Sequence, residues 1–157
     1  MTTGALNVAL SAEIAADPSE VWAAIGNFQD MSWHPAVHSS TGTGGNAVPA
    51  SRTLTLGAVD GPKLTEALAA HDDATMSYGY RITDVDLAVI PVTNYASTIA
   101  VSARSGGGTV INWQGTFDRG DPGGNPPENL NDTAAIGAIT GVYQGGLDAL
   151  IERFGAA

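Results

Sequence analysis

The chain has 157 residues, enough to bury a core of its own, and 43% of them are hydrophobic, as in a globular protein. Six Lys plus Arg against sixteen Asp plus Glu leave a net charge of −10, which repels a phosphate backbone and argues against nucleic acid as a partner. Cysteine is absent, which excludes disulfides and thiolate chemistry.

The first residues, Met1 to Asn7, lack a basic stretch followed by an apolar one, so no signal peptide is expected. No run reads as a membrane span, and the expected location is cytoplasmic. Leu6, Val8, Leu10, Ala12 and Ile14 then alternate with more polar neighbours, the mark of a strand with one buried face. Asp17-Pro18-Ser19-Glu20 reads as a helix start: Asp17 caps, Pro18 loses nothing by lacking an N–H, and Glu20 reaches back to the cap. Val21, Trp22 and Ile25 give that short helix its inner face. A second short helix is expected over 28–33, ended by Pro35.

Six extended segments follow, at 36–43, 50–57, 63–71, 75–83, 92–103 and 109–118. The glycine clusters 42–45 and 106–108 do not lie between a strand and a helix, so they read as hairpin turns, not phosphate loops. A Pro/Gly loop over 121–127 leads to a long helix over 133–154. Asn131 or Asp132 caps it, and Gly155 stands where a left-handed C-cap belongs. Asn131-Asp132-Thr133 also matches a glycosylation acceptor, but it is better read as capping chemistry. Ile136, Ile139, Tyr143, Leu147, Leu150, Ile151 and Phe154 share one face of this helix. Its back, with Ala134, Ala138, Gly141 and Gly145, reads either as a plain solvent face or as the packing surface of a homodimer. The order points to one α+β domain, 1–157. In it a seven-stranded, curved antiparallel sheet wraps the long C-terminal helix, with two short helices after strand 1. A curved sheet and a straight helix meet well at one end only, which leaves a hollow.

Residues 14–22, Ile14-Ala15-Ala16-Asp17-Pro18-Ser19-Glu20-Val21-Trp22, followed by Trp33-His34-Pro35, resemble the opening of the START and birch-pollen-allergen superfamily. Within it the chain is most similar to the bacterial polyketide cyclase/dehydrase-like branch. Leu64-Thr65-Glu66-Ala67-Leu68, His71-Asp72-Asp73 and Val92-Thr93-Asn94-Tyr95 are also similar to the plant abscisic-acid receptors. The resemblance implies a helix-grip fold with an internal cavity for a small apolar or amphipathic ligand. The receptors' gate loop is replaced by Gly57-Ala58-Val59-Asp60-Gly61, their latch by Ile90-Pro91-Val92, and their ligand-anchoring lysine falls near His34. A hormone switch with a phosphatase partner is therefore not expected.

Glu66 shares a face with Leu64 and Leu68, while Lys63, Thr65 and His71 point the other way. If the apolar face is the inner one, a carboxylate enters the hollow and needs a partner, water or a raised pKa; a slip of one residue would put it in solvent. The resemblance also places a cavity-lining acid there. His34 reads either as a proton shuttle or as a structural histidine satisfied by backbone groups. Its spacing to His38, interrupted by Pro35, does not make a metal site. Trp33, Tyr78, Tyr80, Tyr95, Trp113, Ile139 and Tyr143 are the expected walls, apolar with a few hydroxyls. Arg52 and Arg81 read as solvated strand-edge charges or, for one of them, as the guard of the hollow's mouth. The first expectation is a cytoplasmic protein that binds a small hydrophobic or aromatic molecule, with no cofactor, and with His34 and Glu66 as polar anchors. The second is a cofactor-free cyclase, dehydratase or aldolase-type enzyme in which His34 and Glu66 exchange a proton with the substrate. The third is a dimeric interaction protein without a ligand.

Overall fold

The computed structural model describes residues 5–157; of the stretch on which the signal-peptide reading rests, residues 1–4 lie outside it. Seven strands form one antiparallel sheet: β1 (Leu6–Ile14), β2 (Val37–Thr43), β3 (Ser51–Leu56), β4 (Lys63–Asp72), β5 (Ser77–Asp84), β6 (Val92–Ala103) and β7 (Thr109–Arg119). Their order across the sheet is β1-β7-β6-β5-β4-β3-β2. α1 (Pro18–Ile25) follows β1, and α2 (Asp132–Phe154) closes the fold. This is the helix-grip arrangement the alternating pattern and the resemblance both point to. Along β6 and β7 the period-two rule puts Tyr95, Ser97, Ile99, Val101, Ile111, Trp113 and Phe117 on the concave face, all buried.

Curvature comes from irregular pairing. Register shifts fall between Val37 and Ser39, at two points in β4 and between Thr93 and Ala96. Each bulge adds a residue to one strand and bends it. α2 packs chiefly on β1 and β7, at one side of the sheet. Its C-terminal end is fastened there, where the Ala15 N–H donates to Gly155 O at 2.9 Å and Ile14 bridges to Ala156. The other half of the helix stands off β3, β4 and β5, and the hollow lies beneath it.

At the start of α2 the Asn131 side chain accepts the Ala134 N–H at 2.9 Å, so Asn131 is the cap, not Asp132. Asn131→Ala is expected to lower stability by about 1 kcal/mol. Urea unfolding would show it as a lower midpoint with an unchanged slope, and an unchanged midpoint would mean that the cap contributes nothing.

The structure corrects four expectations. Residues 28–33 form turns rather than a second helix. Asn27 Oδ1 takes the Gln29 N–H and Asp30 Oδ1 takes the Ser32 N–H, and such side-chain acceptors compete with helical bonding. Asp17 holds the N-cap position of α1 without a side-chain bond; its backbone carbonyl accepts from Glu20 and Val21 instead. The buried stripe of α2 centres on Ala135, Ile139, Tyr143, Gly146, Leu147 and Leu150, which leaves Ile136 39% exposed. Finally, the bulge between Leu68 and Ala70 turns His71 to the side of Tyr78, on which it stacks while its Nε2 bonds Gly26 O at 2.7 Å. α2 is also long and apolar enough, by composition alone, to cross a membrane, but here the sheet grips its apolar face.

Candidate functional site

Between the concave sheet and the first half of α2 lies a cavity of about 220 Å³. Its wall is mainly aliphatic, with Leu54 and Leu56 from β3, Leu64 from β4, Ile82 from β5 and Ile139 and Val142 from α2. Of the residues expected from the sequence, His34, Glu66, Tyr80, Tyr95, Trp113 and Ile139 line it. Trp33, Tyr78 and Tyr143 do not. Trp33 lies behind Trp113, ring centroids 5.6 Å apart, and its buried Nε1 has no partner among the described residues.

Arg52 is the largest departure from the sequence reading. It is 1% exposed, not solvated at an edge. In the register of β3 and β4 it stands directly opposite Glu66, both on the concave face. Its Nε and Nη2 both donate to Glu66 Oε1, each at 2.8 Å, and Nη1 donates to Phe28 O at 2.8 Å. The guanidinium carbon also sits 4.2 Å from the Phe28 ring centroid and 4.9 Å from that of Tyr80, within cation–π range. Burial pushes the Glu66 carboxyl above its ordinary value, and the Arg52 charge pulls against that shift. A buried ion pair of this kind loses most of its Coulombic gain to desolvation, yet removing one partner strands the other.

The hydroxyls form a chain whose direction follows from donor counting. Ser97 Oγ–H donates to Gln114 O at 2.9 Å, so the Tyr143 hydroxyl, 2.8 Å away, donates to Ser97. Tyr143 is then the acceptor for the Tyr95 hydroxyl at 2.6 Å. Gly115 makes this possible, because a Cβ there would collide with the Tyr143 hydroxyl. Trp113 Nε1–H is shared between Ser97 Oγ and Tyr80 Oη, both at 3.1 Å, and the Trp113 ring stacks 4.4 Å above Tyr143. Burial raises the Tyr143 hydroxyl to about 12 and holds Tyr80 and Tyr95 well above the ordinary phenol value. These groups order hydrogen bonds and do not ionise near neutrality.

His34 is held by backbone on both sides. Nδ1 accepts the Ala36 N–H at 3.1 Å, which makes Nε2 the protonated nitrogen, donating to Val142 O at 2.8 Å. Burial lowers its pKa and keeps the neutral form. The ring thereby ties the turn before β2 to α2. His34 and Glu66 face one cavity without a hydrogen bond between them.

The family described as polyketide cyclase / dehydrase and lipid transport matches residues 5–155. The chain belongs to that family. Among solved structures, XoxI from Bacillus cereus is 34% identical with a TM-score of 0.78, covering 94% of each chain. A Bacillus thuringiensis protein is 33% identical with a TM-score of 0.78, covering 95% of this chain and 98% of its own. A Nitrosospira multiformis protein at 23% identity and a TM-score of 0.76, covering 95% and 96%, shares the fold. No curated protein matches the chain. The polyketide cyclase / dehydrase and lipid transport family is named for both reactions and carriage, so membership leaves the chemistry to the cavity's own residues. Sequence reasoning missed Arg52 there, although an opposite charge across from Glu66 is a readable signal once the β3–β4 register is known.

Proposed function

We propose that the protein binds a small, largely apolar molecule in the cavity between the sheet and α2. The observation that carries this reading is a cavity of about 220 Å³ walled by aliphatic and aromatic side chains. Its polar groups are mostly satisfied within the protein, which suits reversible binding. The same pairing argues against the enzymatic alternative. An acid–base pair needs two groups free to exchange a proton, and both His34 nitrogens are committed to backbone, which leaves Glu66 without its expected partner.

The test uses naphthalene as an apolar probe, followed by methyl NMR. Binding is expected to shift the methyls of Leu54, Leu64 and Ile139. It is expected to be lost in Leu64→Trp and Leu56→Trp, which fill the cavity from the start of β4 and from the end of β3. Undiminished binding in both folded variants would place the probe elsewhere and remove the reading.

A further inference from the structure

Size sets the first limit on the ligand. A dry cavity of about 150 Å³ accommodates benzene, so about 220 Å³ suits one ring or a compact two-ring skeleton, not an extended acyl chain. Charge sets the second. Arg52 is the cation of this cavity, and its charge is already balanced by Glu66, whose Oε1 takes Nε and Nη2, while Nη1 donates to Phe28 O. The rings of Phe28 and Tyr80 lie against the guanidinium as well. An incoming carboxylate would meet the carboxylate of Glu66 and a neutral His34, and burying an uncompensated charge costs several kcal/mol.

Hydrogen-bond complementarity sets the third. Both Arg52 contacts fall on Oε1, so Glu66 Oε2 is left to the cavity as an acceptor. Tyr80 Oη accepts from Trp113 Nε1, and its own proton has no acceptor among the described residues, so it is left to the cavity as a donor. In the β4–β5 register Glu66 stands opposite Ile82 and Leu68 opposite Tyr80, which makes Glu66 and Tyr80 diagonal neighbours on the concave face. One ligand hydroxyl satisfies both, donating to the carboxylate and accepting from the phenol. A ketone satisfies one of them and a hydrocarbon neither. An aromatic ring bearing that hydroxyl would rest against Tyr95 and Trp113.

We propose, building on the binding reading above, that the cavity selects a neutral phenol or alcohol of one or two rings, held by Glu66 Oε2 and the Tyr80 hydroxyl, and rejects carboxylic acids of the same size. The test compares naphthalene, 2-naphthol and 2-naphthoate at pH 7 by NMR titration against the wild-type protein and Tyr80→Phe. A hydrogen bond to a charged acceptor plus one from Tyr80 is expected to make 2-naphthol bind at least about tenfold more tightly than naphthalene. 2-Naphthoate is expected to bind more weakly than naphthalene. Tyr80→Phe keeps the ring and is expected to weaken 2-naphthol roughly three- to tenfold more than it weakens naphthalene. If naphthalene binds in the cavity as tightly as 2-naphthol, if 2-naphthoate matches 2-naphthol, or if Tyr80→Phe weakens 2-naphthol no more than naphthalene, the selection is overturned and the cavity reading stands. If none of the three shifts the cavity methyls, both fall.

Discussion

Arg52→Met is expected to destabilise the protein by about 3–5 kcal/mol, whereas Arg52→Met combined with Glu66→Leu regains most of that loss. The reason is the asymmetry of a buried pair. Arg52 is 1% and Glu66 4% exposed, so either one left alone is a buried charge in a largely apolar wall without its partner. Met keeps the length of the arginine stem between Phe28 and Tyr80 but removes the donors on Glu66 Oε1 and Phe28 O. With both charges gone, β3 and β4 face each other across an apolar contact at the same register position. Glu66→Gln alone is expected to destabilise as well, because it strands Arg52, so its melting temperature does not separate a binding role from a structural one. Urea unfolding of the two single variants and the double variant forms the cycle that decides. Single effects that simply add in the double variant would show that the two groups are not coupled.

Gly146→Ala is expected to cost about 1–3 kcal/mol, although alanine is the better helix former by about 1 kcal/mol. A Cβ at Gly146 would lie 2.8 Å from Trp113 Cζ3, 2.9 Å from His34 Cδ2 and 3.1 Å from Trp33 Cζ3. These three rings pack on one another, so none moves alone. Displacing His34 also strains its bond to Val142 O, one turn earlier on α2. Gly141 is the contrast within the same helix. Nothing lies within 4 Å of a Cβ there, so Gly141→Ala is expected to stabilise by up to about 1 kcal/mol. Thermal melts of the two variants should shift in opposite directions. A Gly146→Ala protein that melts higher, as Gly141→Ala does, would mean that the close approach of α2 to the two tryptophans is not there.

The strands were legible because their buried faces alternate. Leu64, Glu66 and Leu68 on β4 and Ile111, Trp113 and Phe117 on β7 sit where period two puts them. The long helix was legible from its caps and from Ile139, Tyr143, Leu147 and Leu150, all buried as expected, and of the expected stripe only Ile136 is exposed. The buried face includes Ala135 and Gly146, whose small side chains carry little hydropathy signal while permitting the closest approach. The turns over 28–33 escaped notice because Asn27 and Asp30 divert backbone donors that a helix would use, an effect of local side-chain chemistry that apolar spacing does not reveal. At the site, Glu66 and three of the six expected aromatics, Tyr80, Tyr95 and Trp113, line the cavity, while Trp33, Tyr78 and Tyr143 pack outside it. The role of Arg52 could not be read from the sequence, because pairing with Glu66 depends on a strand register fixed by tertiary contacts. For His34 the sequence left two readings, and the geometry matches the one satisfied by backbone, with partners on the adjoining turn and on a helix more than one hundred residues away.

The hollow between sheet and helix is tested most directly by a crystal pressurised with xenon, which enters apolar cavities that water leaves empty. The expected result is xenon density between Leu54, Leu64, Tyr80 and Ile139, in the space of about 220 Å³ beside the Arg52–Glu66 pair. Continuous side-chain packing across that space, with no xenon and with the Glu66 carboxylate facing bulk solvent, would contradict it.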